Sequence, residues 1–196
     1  MTDSNGSPDF APAAHALRTL LPGVADDQLT DPTPCTGWTV GDLLDHLVGL
    51  TFAFRTAAEK GPDPAPNGPG DPSVDRLDPT WRSRLPVQLD ELVAAWRVPT
   101  AWTGETAVGG VALPAEIMGV VALNELVVHG WDLARATGQP YDVDDRTLDA
   151  VHRLVSQQAS SDGTPGLFGP SITQPDDAPL LDRVLGHTGR SREWTP

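Results

Sequence analysis

Between Pro114 and Thr137 the chain is apolar in almost every direction: Ile117, Met118, Val120, Val121, Leu123, Leu126, Val127, Val128, Trp131 and Leu133 fall on all sides of a helical wheel. Glu125, His129 and Asp132 interrupt them. At about 100° per residue these three lie within about 60° of one another, so the run predicts a largely buried helix with one polar stripe. A buried carboxylate costs several kcal/mol unless a partner or a metal compensates it, and an imidazole one turn along is a common form of compensation. The rest of the chain predicts helices that could surround it.

Phe10 to Leu21 carries an apolar side of Ala13, Ala14, Leu17, Leu20 and Leu21, and Pro22-Gly23 stops it. Thr39 and Asp42 form a capping box opening a helix from Val40 to about Lys60, with Val40, Leu43, Leu44, Leu47, Leu50 and Phe54 inward and His46 on that same side. Thr80 to Val98 places Leu85, Leu89, Leu92, Val93 and Trp96 on one face, and Asp145 to Gln158 does so with Leu148, Val151, Leu154 and Val155. A short helix at Ala178–Leu185 follows. Between these, Gly61–Asp78 is too rich in proline for regular structure and reads as a mobile loop, either a tolerated surface insertion or a lid. Pro99–Leu113, rich in Gly, Thr and Val, predicts a hairpin-like excursion. The expected architecture is all-α: an antiparallel four-helix bundle with short additional helices. Residues 1–9 would be a disordered leader, 10–196 one domain, and 166–196 a tail packing on the bundle.

Composition narrows the function classes. At 196 residues, 39% apolar and 20% charged, the chain suits one well-cored domain. A formal net charge of −14, spread along the sequence, argues against nucleic acid or an anionic membrane as partner. Cys35 is the single cysteine, which excludes an intrachain disulfide and suits a reducing compartment. The polar start, Met1 to Pro8, does not resemble a signal peptide, and no uninterrupted apolar run approaches the roughly 18 residues of a membrane span. Cytoplasmic location is the expectation. Lys60 is the only lysine beside many arginines, a bias typical of GC-rich genomes.

Glu125-x-x-x-His129 puts two ligand-type side chains on one side of a helix, about 6 Å apart, where they can chelate one ion. His46, if it is a ligand and not a core histidine, would complete a His2Glu set with a coordination position left open, as in catalytic zinc sites. Asp132 either accepts from the outer nitrogen of His129 or faces Arg135 at the surface. Cys35 is either a thiol activated by the following helix N-terminus or a small packing residue. His15 has no ligand-type partner at helical spacing, and His152 points off its helix's apolar line toward solvent.

Three blocks carry a resemblance: Thr33-Pro-Cys-Thr-Gly-Trp-Thr-Val-Gly-Asp-Leu-Leu-Asp-His46, Asn124-Glu-Leu-Val-Val-His-Gly-Trp-Asp-Leu-Ala-Arg-Ala-Thr-Gly138, and Phe168-Gly-Pro with Asp177-Ala-Pro-Leu-Leu-Asp-Arg-Val-Leu. The chain resembles the actinobacterial metal-binding branch of the DinB-like superfamily and is similar to the N-terminal domain of mycothiol-dependent maleylpyruvate isomerase. The resemblance spans about Phe10 to Trp194. It implies a DinB-like bundle with a divalent metal, usually zinc, held by His46, Glu125 and His129. It also implies a small-molecule substrate and mycothiol as cosubstrate; a homodimer is a further expectation. Isomerase-type relatives carry a C-terminal domain, and nothing beyond about Gly166 is long enough to form one. His187 stands where relatives tend to be apolar or aromatic, and reads as tail packing. Three functions compete: thiol-dependent transfer or isomerisation, a metal-dependent hydrolytic or tailoring reaction, and non-catalytic metal or small-molecule binding.

Overall fold

A computed structural model describes residues 6–164 and 168–196. Most of the expected disordered leader, residues 1–5, and the start of the expected tail lie outside the described residues. Among the described residues there are six α-helices: α1 Ala11–Leu20, α2 Val40–Ala58, α3 Trp81–Trp96, α4 Ala115–Ala136, α5 Asp145–Gln158 and α6 Leu180–His187. Helices α1 and α2 each pack against both α3 and α4, and α5 lies between α4 and α6. Every apolar residue assigned to an inward face from periodicity on the first three helices is buried, with Leu17, Leu43, Leu44, Leu47, Leu85 and Leu89 fully so. Each such side chain contributes roughly 1.5–3 kcal/mol by leaving water. Phe10 closes one end, stacked on Trp96 at 5.5 Å.

Local chemistry sets the boundaries. At the start of α2, Thr39 Oγ1 accepts from the Asp42 amide at 3.2 Å and Asp42 Oδ2 accepts from the Thr39 amide at 2.8 Å, the reciprocal cap expected there. Asp144 caps α5 by accepting from the Arg146 and Thr147 amides. The extended excursion is an antiparallel hairpin, β1 Glu105–Val108 and β2 Val111–Pro114. Its turn residues Gly109 and Gly110 both have positive φ, 62° and 81°, as a two-residue hairpin turn requires. Pro114 ends this strand and immediately precedes α4. Helix α6 starts at Leu180, two residues later than expected, because Ala178 precedes a proline and is disfavoured in the helical region.

Two expectations change. The Gly61–Asp78 loop is not free: Asp63 accepts from the Ala65, Gly109 and Gly110 amides, and Asp45 and Asp42 on α2 accept from the Ser73 and Val74 amides at 3.0 and 2.7 Å. Carboxylates thus satisfy backbone donors that prolines prevent from pairing regularly, and Val74–Arg76 forms a 3-10 turn. Gly41 admits the contact, since a Cβ there would sit 2.3 Å from Val74 Cγ2. Helix α4 is also long and apolar enough, by length and composition, to cross a membrane; here the same surface is mostly covered, by α1, α2 and α5.

Candidate metal centre

Contact between α2 and α4 brings together side chains 79 positions apart in the chain. His46 Nε2 and His129 Nε2 each lie 3.2 Å from the same atom, Glu125 Oε2. The imidazole centroids are 4.9 Å apart with the rings nearly perpendicular. One ligand atom from each of the three residues falls within 4.8 Å of the other two. Their surroundings are dry on most sides, with His129 buried and His46 and Glu125 half-buried.

Behind His129, Asp132 is fully buried and settles between its two readings. Its Oδ2 lies 3.0 Å from His129 Nδ1 and also accepts from Arg190 Nη2 at 3.0 Å, with Arg190 Nε reaching Oδ1 at 3.4 Å. Arg135, the alternative partner, instead donates to the Trp194 carbonyl. Arg190 also donates to the Thr188 carbonyl at 3.0 Å, so the segment after α6 buries a cation to hold this carboxylate.

This arrangement fits a divalent cation. An acceptor at Nδ1 fixes the proton there, which turns the Nε2 lone pair of neutral His129 toward a carboxylate oxygen. Two acceptors then face one another at 3.2 Å unless the ring is protonated or a cation sits between them. In the metal-free protein the proton takes that place: burial opposes the charge on His129, but the Asp132 and Glu125 carboxylates outweigh it and raise its pKa to about 9. His46 goes the other way, lowered by burial despite its hydrogen bond with Glu125. Burial likewise opposes the charge on Glu125, yet both histidines hold it well below the usual carboxylate range. One carboxylate and two imidazoles are a borderline donor set that suits zinc and its neighbours better than magnesium or calcium.

A turn before α2 roofs the cluster. The Trp38 amide donates to the Cys35 carbonyl at 3.0 Å, with Gly37 at φ 85°. Trp38 then stacks on His129 at 5.7 Å and lies 4.8 Å from His46. Cys35 comes to the same place, its sulfur within 4.8 Å of ligand atoms of His129 and Asp132. Burial is the main reason that its thiol is pushed up to about 11, so it is not an activated nucleophile. Two open grooves of about 570 Å³ lie elsewhere, one beside α4 and α5 and one beside α2 and α3; neither is lined by His46, Glu125 or His129.

Of the remaining sequence candidates, His15 is exposed on α1 and takes no part in the cluster. His152 is half-buried and pairs with His187, contrary to the solvent-facing expectation, because α6 packs over its side of α5. Sequence reasoning misses Arg190, since a lone arginine in an aperiodic tail carries no spacing signal.

The frame and the cluster define a class: helical proteins with a two-histidine, one-carboxylate donor set between packed helices. Within it, the chain belongs to the family described as the mycothiol maleylpyruvate isomerase N-terminal domain, whose model matches residues 10–134. An uncharacterised protein of Mycobacterium tuberculosis is 30% identical over 194 residues, 91% of this chain and 94% of its own. A second one from the same organism is 25% identical over 205 residues, covering 96% of this chain and 76% of that relative. The crystal structure of mycothiol-dependent maleylpyruvate isomerase superposes with a TM-score of 0.65 at 17% identity, over 98% of this chain and 94% of the other. At that identity the likeness is one of fold. The superposition takes in nearly all of both chains.

Proposed function

We propose that the protein is a metal-dependent enzyme that uses a low-molecular-weight thiol such as mycothiol on a small electrophile, in a transfer or isomerase-like reaction. The observation that carries this reading is the convergence of His46 and His129 on one oxygen of Glu125, with Asp132 behind His129. His46, Glu125 and His129 would hold the ion, zinc by the chemistry of the donors. Zinc bound there would lower the pKa of a thiol and keep it as thiolate at neutral pH. Membership of a family described by mycothiol, and a fold shared with a mycothiol-dependent isomerase, support mycothiol as that thiol.

The chain's own residues have distinct parts. Asp132 holds the His129 proton on Nδ1, which leaves Nε2 free to ligate. Arg190 neutralises Asp132 without reaching the ligands. Trp38 supplies an apolar face over both imidazoles, which would exclude water from a thiol held there. The protonated Cys35 leaves the nucleophilic role to an external thiol. A hydrolytic reaction would need an uncommitted base beside the ion, and Asp132, the nearest spare carboxylate, is already engaged by two partners.

A second reading, metal binding without catalysis, draws support from the Trp38 roof and from the grooves lying elsewhere. Turnover of maleylpyruvate and of a generic alkylating electrophile by the zinc-loaded protein, with and without mycothiol, separates these. Consumption that requires both zinc and thiol, and that falls at least about 10²-fold in His46→Ala, is expected. Equal consumption without thiol would point to hydrolysis. No consumption of either electrophile, with a melting shift from zinc alone, would favour the binding protein.

A further inference from the structure

Away from this centre, α5 and α6 meet through two imidazoles. His152 on α5 and His187 at the end of α6 have ring centroids 5.2 Å apart and planes inclined by 49°. That spacing is close to the 4.9 Å between His46 and His129. Both rings are half-buried, and His152 Nε2 is itself buried without a hydrogen-bond partner among the described residues. A buried ring nitrogen with nothing to pair with calls for a bound water or ion. Burial, helped by the Arg183 charge, lowers the pKa of both rings, so both are neutral at pH 7.5 and their lone pairs are free. Asp149, one turn before His152, is the carboxylate near the pair and offsets Arg183.

We propose that His152 and His187 form a second metal site at the α5–α6 seam, taking a divalent transition ion such as nickel, copper or zinc through two imidazole nitrogens. Water or Asp149 completes the coordination. Nitrogen donors select against calcium and magnesium, which prefer oxygen. An ion here staples α6 to α5. The chain leaving α6 reaches Arg190 three residues later, so the staple also steadies the segment that holds Asp132. Binding only to the folded seam raises stability as the ion concentration rises.

The test is calorimetric titration with nickel at pH 7.5 of the metal-stripped, tag-free full chain and of His152→Ala and His187→Ala. Wild type should take up one more equivalent of nickel than either variant. The comparison is between variants, so it reads the seam whether or not the His46 cluster also takes nickel. Equal nickel uptake in wild type and both variants overturns the proposal. Because truncation can loosen α6, a second readout uses wild type alone: substoichiometric copper should broaden the ring signals of His152 and His187 beyond that of the exposed His15. Broadening no greater than at His15 overturns it as well.

Discussion

Replacing Asp132 with alanine is expected to destabilise the protein by about 3–5 kcal/mol, the usual cost of removing one partner from a buried ion pair. Asp132 is fully buried and Arg190 nearly so. After the substitution Arg190 keeps only the Thr188 carbonyl, and His129 Nδ1 loses its acceptor. At roughly 2–4 °C per kcal/mol for a chain of this size, the melting temperature should fall by about 6–20 °C. Asp132→Asn retains an acceptor but not the charge and should fall between the two. Arg190 chiefly holds the Asp132 carboxyl below its ordinary pKa against the opposing effect of burial. That part of the stability is therefore full above about pH 4 and lost as the pH falls through the lowered value. Urea unfolding of the metal-free proteins measures the difference; a change under about 1 kcal/mol would mean a solvated carboxylate, as in an exposed ion pair.

Zinc uptake should release about one proton per chain at pH 7, and the apparent affinity should fall about tenfold for each pH unit below about 9. The sign follows from which ligands carry protons without metal. His129 is raised to about 9 and is protonated at pH 7; His46, lowered, is neutral; Glu125, lowered, is ionised. Only His129 must lose a proton before its Nε2 can ligate. Calorimetry in buffers of different ionisation enthalpy counts that proton. A count near zero, with affinity flat between pH 6 and 8, would show that His129 is not a ligand or is neutral beforehand.

Much of this centre is legible in the sequence because it sits on helices. The polar stripe on α4 stands out against an apolar cylinder, and helical spacing alone puts Glu125 and His129 on one side. His46 is ambiguous from periodicity, since a histidine facing a core of leucines looks the same whether it packs or ligates; only the resemblance of its flanking block implies a ligand. Arg190 is not legible. It is joined to Asp132 across 58 positions, from a segment with no repeating pattern. Trp38 and Cys35 are visible only as residues of a proline-stiffened connector, and their approach to His129 depends on a turn with Gly37 at positive φ. The same limit explains the loop: the aspartates that tether Gly61–Asp78 act through single side chain to backbone bonds, which leave no mark on hydropathy.

Metal analysis reads the ligand set of His46, Glu125 and His129 without any substrate. Wild type purified in zinc-replete medium should carry about one zinc per chain, and His46→Ala and His129→Ala, folded by circular dichroism, should carry little after the same dialysis, because removing one of three ligands weakens binding by about 10²-fold or more. Wild type that holds no stoichiometric metal, or a folded His129→Ala variant that keeps its full content, would contradict the account.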